Sequence, residues 1–200
     1  MATEQLTLTN VHVRAREHLL ARGGPADAAE GVTANDAAAL ADWIRRCAAK
    51  ALRDEYLLSP GEDSPADTLY LWLNDAPSNL DAWWLAAFGY VWEGRQPTLM
   101  FSELFDAVVG HESGDITEER FALRDLDPLR EVVSLLDRPD TAGPLISVQV
   151  MALVDQALRI AGDIGVRVAL SCSEEPLIGL WTWDSSGWAF VAHVDDSVWR

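Results

Sequence analysis

Apolar positions recur along this chain with two different periods, and the change falls near residue 140. Before it the spacing is mostly three and four. Thr33 and Asp36 open a helix in a capping-box pattern, and Leu40, Trp43, Ile44, Cys47 and Ala51 give it one apolar stripe. Ser64, Pro65 and Asp67 start a short helix through Leu73, with Pro65 in the first turn where its missing N–H costs nothing. Ser78 and Asp81 start another over 79–93, whose Leu80, Trp83, Trp84, Ala87, Tyr90 and Val91 share a wide face until Gly94 stops it. Thr98 to Val109 repeats the pattern with Leu99, Phe101, Leu104, Phe105 and Val108, ending at Gly110. Residues 34–109 therefore read as four helices on short loops, a bundle-like region. Ahead of them, 5–13 (QLTLTNVHV) alternates as a short strand and 21–32 is a Gly, Ala and Pro-containing loop.

Trp83, Tyr90 seven residues on and Gly94 four further on are spaced as in one tetratricopeptide-type helical pair, which this stretch resembles. The resemblance covers one repeat and implies an antiparallel helical hairpin. No second copy follows at any fixed period.

One more helix precedes residue 140, and past it the period becomes mixed. Asp127 caps a helix to about Asp137, and the RPDTAGP stretch over 138–144 is a linker. A helix from Pro144 to Ala161 carries Ile146, Val148, Val150, Met151, Leu153, Val154, Leu158 and Ile160, leaving only a narrow polar strip, so it is mostly buried. Three strands follow, 166–172, 177–183 and 188–194, joined by SEEP and DSSG. Tight connections pair Cys172 with Leu177 and Trp183 with Trp188. The pleat then gathers Val168, Leu170, Trp181, Trp183, Trp188 and Phe190 on one face, covered by the 144–161 helix.

The expected architecture is α+β: a mainly helical region over 1–140 with an N-terminal strand, then over 141–200 a helix on a small antiparallel three- or four-stranded sheet. The two packed together form one globular unit.

Composition narrows the function. Half the chain is hydrophobic (49%), enough for a real core, and no apolar run approaches the roughly 20 residues that span a bilayer. The first residues lack a basic stretch followed by an apolar one, so the expected location is cytoplasmic. Acids outnumber bases 32 to 15, a net charge of -17. Such a chain repels nucleic-acid phosphates and anionic lipid, and its expected partner is a protein, of basic character if the acidity is functional rather than a genomic habit. Arg45, Arg46, Lys50 and Arg53 form the one basic cluster, which fits a helix C-terminus better than an anion site.

Candidate chemistry is thin. GxGxxG, GxxxxGK[ST], GxSxG and HExxH are all absent, and neither Cys47 nor Cys172 belongs to a CxxC pair. The 110–119 loop offers His111, Glu112, Asp115, Glu118 and Glu119, but without the spacing of a zincin or an EF-hand, so it reads as a solvated acidic loop. Cys172, His193 and Asp195 suggest a nucleophile, base and orienter, yet the pleat sends Cys172 and His193 to opposite faces. Ser171 shares the face of His193 but stands two strand spacings of about 4.8 Å away. No catalytic residue, metal site or cofactor is assigned.

Nine tryptophans remain. Trp43, Trp83, Trp183 and Trp188 are expected in the core, while Trp72, Trp84, Trp92, Trp181 and Trp199 are candidate exposed anchors for a partner. The expected function is a non-catalytic acidic interaction module such as an immunity, inhibitor or adaptor protein. The alternatives are a small enzyme or ligand- or metal-binding protein using the 110–119 loop with His193, and a DNA-mimicking inhibitor.

Overall fold

The structure, a computed structural model, describes residues 17, 20–21, 35–52, 67–74, 82–90, 120–134, 143–172 and 175–192. Its organising element is a mixed six-stranded sheet in the order β3-β2-β1-β4-β5-β6. The strands are β1 (Thr68–Leu73), β2 (Trp84–Tyr90), β3 (Phe121–Ala122), β4 (Arg167–Cys172), β5 (Glu175–Asp184) and β6 (Gly187–Ala192). The helices are α1 (Asn35–Ala51), α2 (Asp127–Ser134, preceded by a 3-10 turn at Arg124–Leu126) and α3 (Gly143–Ala161). α1 and α3 pack on each other, α1 against β1 and β2, and α3 against β5 and β6. The result is a helical layer on one face of the sheet.

β1 and β4 run parallel at the centre, with Leu69 beside Val168 and Leu71 beside Leu170; every other pairing is antiparallel. At their common start the Arg167 N–H donates to the Asp67 carbonyl at 3.0 Å, and the Arg167 guanidinium stands 3.4 Å from the Asp67 carboxylate. Strand β1 reads TLYLWL, apolar on both faces and buried at every position except the half-buried Trp72. That is how a central strand with two parallel or buried neighbours should read.

Here the sequence expectation of an N-terminal helical bundle is corrected. Residues 68–73 and 84–90 are strands, not helices, and they make the sheet six-stranded and mixed rather than small and antiparallel. The capping signals at Ser64 and Ser78 outweighed, in the sequence reading, the aromatic and Leu-rich runs that favour a pleated surface. Trp83 and Tyr90 therefore do not form a tetratricopeptide-type helix; Tyr90 ends β2 and Trp83 leads into it, an odd offset that extended backbone splits between faces. Asn74 makes this possible. Its N–H donates to the Trp84 carbonyl at 3.2 Å, its Oδ1 accepts from the Trp84 N–H at 2.8 Å, and its Nδ2 donates to the Ala82 carbonyl at 2.9 Å, so one buried amide closes the β1–β2 connection. The expected 5–13 strand and 98–109 helix lie outside the described residues.

β4, β5 and β6 form the antiparallel meander in the expected pairing, Val168 with Trp181, Leu170 with Gly179 and Trp183 with Trp188. A bulge between Leu170 and Cys172 then moves Cys172 opposite Glu175 rather than Leu177.

Trp181 is wholly buried on the helix side, and its indole N–H donates to Asp155 Oδ1 of α3 at 3.0 Å. The same carboxylate accepts from Arg159 Nε at 2.8 Å, which keeps a nearly buried charge paired. Opposite Leu170, Gly179 leaves room for that ring: a Cβ there would stand 2.5 Å from Trp181 Cη2. Gly179→Ala is expected to destabilise the fold by about 1–3 kcal/mol through overpacking, and Asp155→Ala by about 1–3 kcal/mol by leaving the Trp181 donor buried without a partner. Urea denaturation followed by far-UV circular dichroism measures both.

Candidate protein-docking site

Among the described residues, two surfaces gather the tryptophans that the core does not consume. The first lies at the end of the fold where both long helices stop. Gly162 takes a left-handed conformation, φ 69°, and its N–H donates to the Leu158 carbonyl at 3.0 Å, the geometry that terminates α3. Arg45 of α1 then reaches across: Nη2 donates to the Ile160 carbonyl at 2.6 Å and Nε to the Ala161 carbonyl at 3.1 Å, while Nη1 holds Asp42 at 2.7 Å. A cation from one helix thus satisfies the last carbonyls and the negative dipole end of the other. The basic cluster of α1 has this structural use at Arg45, on the neighbouring helix rather than on its own.

Beyond that cap, Asp163 Oδ1 accepts the Gly165 N–H at 2.9 Å and turns the chain into β4. A Cβ on Gly165 would sit 3.1 Å from Leu52 Cδ1, which places the end of α1 against this loop. On the other side Trp188 donates its indole N–H to the Gly162 carbonyl at 2.9 Å, and Trp183 meets Trp188 edge-on, centroids 5.5 Å apart. Leu52, Ile160 and Trp183 are exposed by 43%, 48% and 41%, an apolar group at this end of the molecule. Such side chains, bordered by polar groups, are what an interaction patch presents.

Its border is charged, with the cations Arg45 and Arg159 beside the end of α3 and two carboxylates nearer the β5–β6 turn. Asp163 and Asp184 are both exposed. Asp184 Oδ1 accepts from the Ser186 hydroxyl at 2.6 Å and the Ser186 N–H at 2.7 Å. These bonds to the charged form, led by the Ser186 hydroxyl, hold its carboxyl below the ordinary aspartate range.

The second surface is the sheet face opposite the helices. Trp72 and Trp84 meet edge-on at 5.4 Å, Tyr70 and Phe88 at 6.1 Å, and the Arg120 guanidinium lies 3.9 Å from the Trp84 ring centroid. Both tryptophans are half-buried; Tyr70, Ala169 and Leu180 are buried between their neighbours. Ser171 faces this side, buried, its hydroxyl without a hydrogen-bond partner among the described residues.

The expected anchors are therefore separated. Trp72 and Trp84 come together on the second face, and Trp92 and Trp199 lie outside the described residues. Trp181 is corrected: at 0% exposure, clamped between Gly179 and Phe190 and bonded to Asp155, it cannot serve as a surface anchor. Trp43, Trp83 and Trp188 are buried as expected. Trp183 is not, because Trp188 takes the covered position beneath Gly162 and leaves Trp183 edge-on outside it. The signal for this was Gly162 itself, which ends the covering helix just short of the β5–β6 turn. Ile160, expected in the buried stripe, is exposed for the same reason.

The polar candidates gain no site. His193 and the 110–119 loop lie outside the described residues. Among the described residues no group of three or more His, Cys, Asp or Glu side chains is placed to hold a metal ion, and no helix is long and apolar enough to cross a membrane. Compared with protein-family models, curated proteins and solved structures, the chain shows no match.

The Asp184 contacts give a measurable consequence. A carboxyl whose pKa is lowered in the folded state contributes stability that is present above the unfolded value and is lost as pH falls through the folded one. In an NMR titration the Asp184 carboxyl carbon is expected to have its midpoint below that of an ordinary aspartate, and Ser186→Ala to move that midpoint upward. An unchanged midpoint in the variant would remove Ser186 as the cause.

Proposed function

We propose that this chain is a non-catalytic acidic interaction module of the cytoplasm, an immunity, inhibitor or adaptor protein, and that its partner is a basic protein. The observation that carries the reading is Trp183, exposed, edge-on to the buried Trp188 and followed directly by the exposed Asp184 carboxylate. An aromatic anchor of this kind supplies contact area at low entropic cost, and a charged border selects and steers an oppositely charged partner.

The net charge of -17 supports the choice of partner and weighs against direct binding of nucleic acid or anionic lipid. Trp72 and Trp84 supply a second aromatic surface for the same partner or another one. Two buried polar side chains, Asp155 and Asn74, have structural bonds that account for them, which favours a scaffold over a catalyst at these positions.

Affinity capture from source lysate tests this, with wild-type, Trp183→Ala, Asp184→Asn and Trp72→Ala chains compared. A basic protein retained by the wild type, lost at least about tenfold with Trp183→Ala and released by raised salt is the expected result. Equal retention by all variants at high salt would refute the reading. Circular dichroism of each variant separates lost binding from lost folding.

A further inference from the structure

Strand β6 closes one side of the sheet, and among the described residues no other strand pairs with its outer edge. Its sequence, GWAFVA, contains no charge and no proline, and its pairing with β5 runs without a bulge from Gly187 to Ala192. Edges are ordinarily blunted by lysine, proline, a bulge or shortness. The opposite edge follows that rule, since β3 is two residues long. β6 does not.

We propose that β6 accepts an extended segment of the basic partner as a seventh strand. This deepens the docking reading and rests on it. Backbone N–H and C=O groups along β6 supply affinity that is indifferent to side chains, and the pleat supplies selection. On the helix side the incoming strand lies beside Trp188 and Phe190; on the other it lies beside Ala189, a small neighbour that leaves room for a β-branched side chain. Charge fixes the occupant. Asp184 adjoins the start of β6, and Asp163 follows Gly162, whose carbonyl binds Trp188, so exposed carboxylates stand at the Trp188 end. A second copy would bring another -17 to the same edge, whereas arginine or lysine at alternate positions would meet these acids.

The experiment is amide hydrogen exchange of the full chain with a short synthetic peptide of alternating arginine and valine, beside the same peptide methylated on every backbone nitrogen. The methylated form keeps charge and side chains but cannot donate to a sheet. Exchange over residues 187–192 is expected to slow at least about tenfold with the first peptide and to stay unchanged with the second. Four results would overturn the proposal: equal slowing by both peptides, no slowing up to millimolar peptide, slowing confined to the Trp72–Trp84 face, or slowing that grows with the concentration of the chain alone. The lysate capture stays separate. A basic partner lost with Trp183→Ala, together with unresponsive 187–192 amides, would leave the interaction module standing without strand addition.

Discussion

Parallel pairing of β1 with β4 is the constraint on which the rest of this molecule depends. The two strands are nearly a hundred residues apart in sequence, and a parallel pair needs a long crossover between its members. The crossover here carries β2, β3, α2 and α3. Once β1 lies beside β4, the β1–β2–β3 side and the β4–β5–β6 side become one sheet, and α1 and α3 pack side by side on one of its faces. Their contact at Arg45 follows directly, because the end of α3 comes within reach of a cation on α1.

Two indoles then set how α3 sits on the sheet. Trp181 is tied to Asp155 in the middle of the helix and Trp188 to Gly162 just past its end, bonds that each join residues 26 positions apart. A tryptophan can do this because most of its ring fills apolar volume while one edge donates a hydrogen bond. With Trp188 occupied in this way, Trp183 is left outside, and the acidic turn through Asp184 places charge beside it. Core and surface use of tryptophan are thus decided by a helix stop, not by hydrophobicity.

Legibility in the sequence tracked how local the determining forces are. α1, α3 and the β4–β5–β6 meander were readable because period, caps and short turns all pointed one way, down to the pairing of Trp183 with Trp188. Residues 68–73 and 84–90 were misread as helices, since TLYLWL and WLAAFGY satisfy a three-and-four spacing by chance and their neighbours in the sheet come from far along the chain. Non-local pairing leaves no local mark. Among candidate site residues, the exposure of Trp183 and the burial of Trp181 turned on the position of Gly162, a signal present in the sequence but meaningful only once α3 is laid over β5 and β6.

The central claim, that both sides of the chain build one sheet through β1 and β4, is tested most directly by nuclear Overhauser contacts in isotopically labelled protein. Cross-strand contacts between the backbones of Leu69 and Val168 and of Leu71 and Leu170 are the predicted result. Their absence, with residues before and after 140 melting in separate transitions, would contradict it.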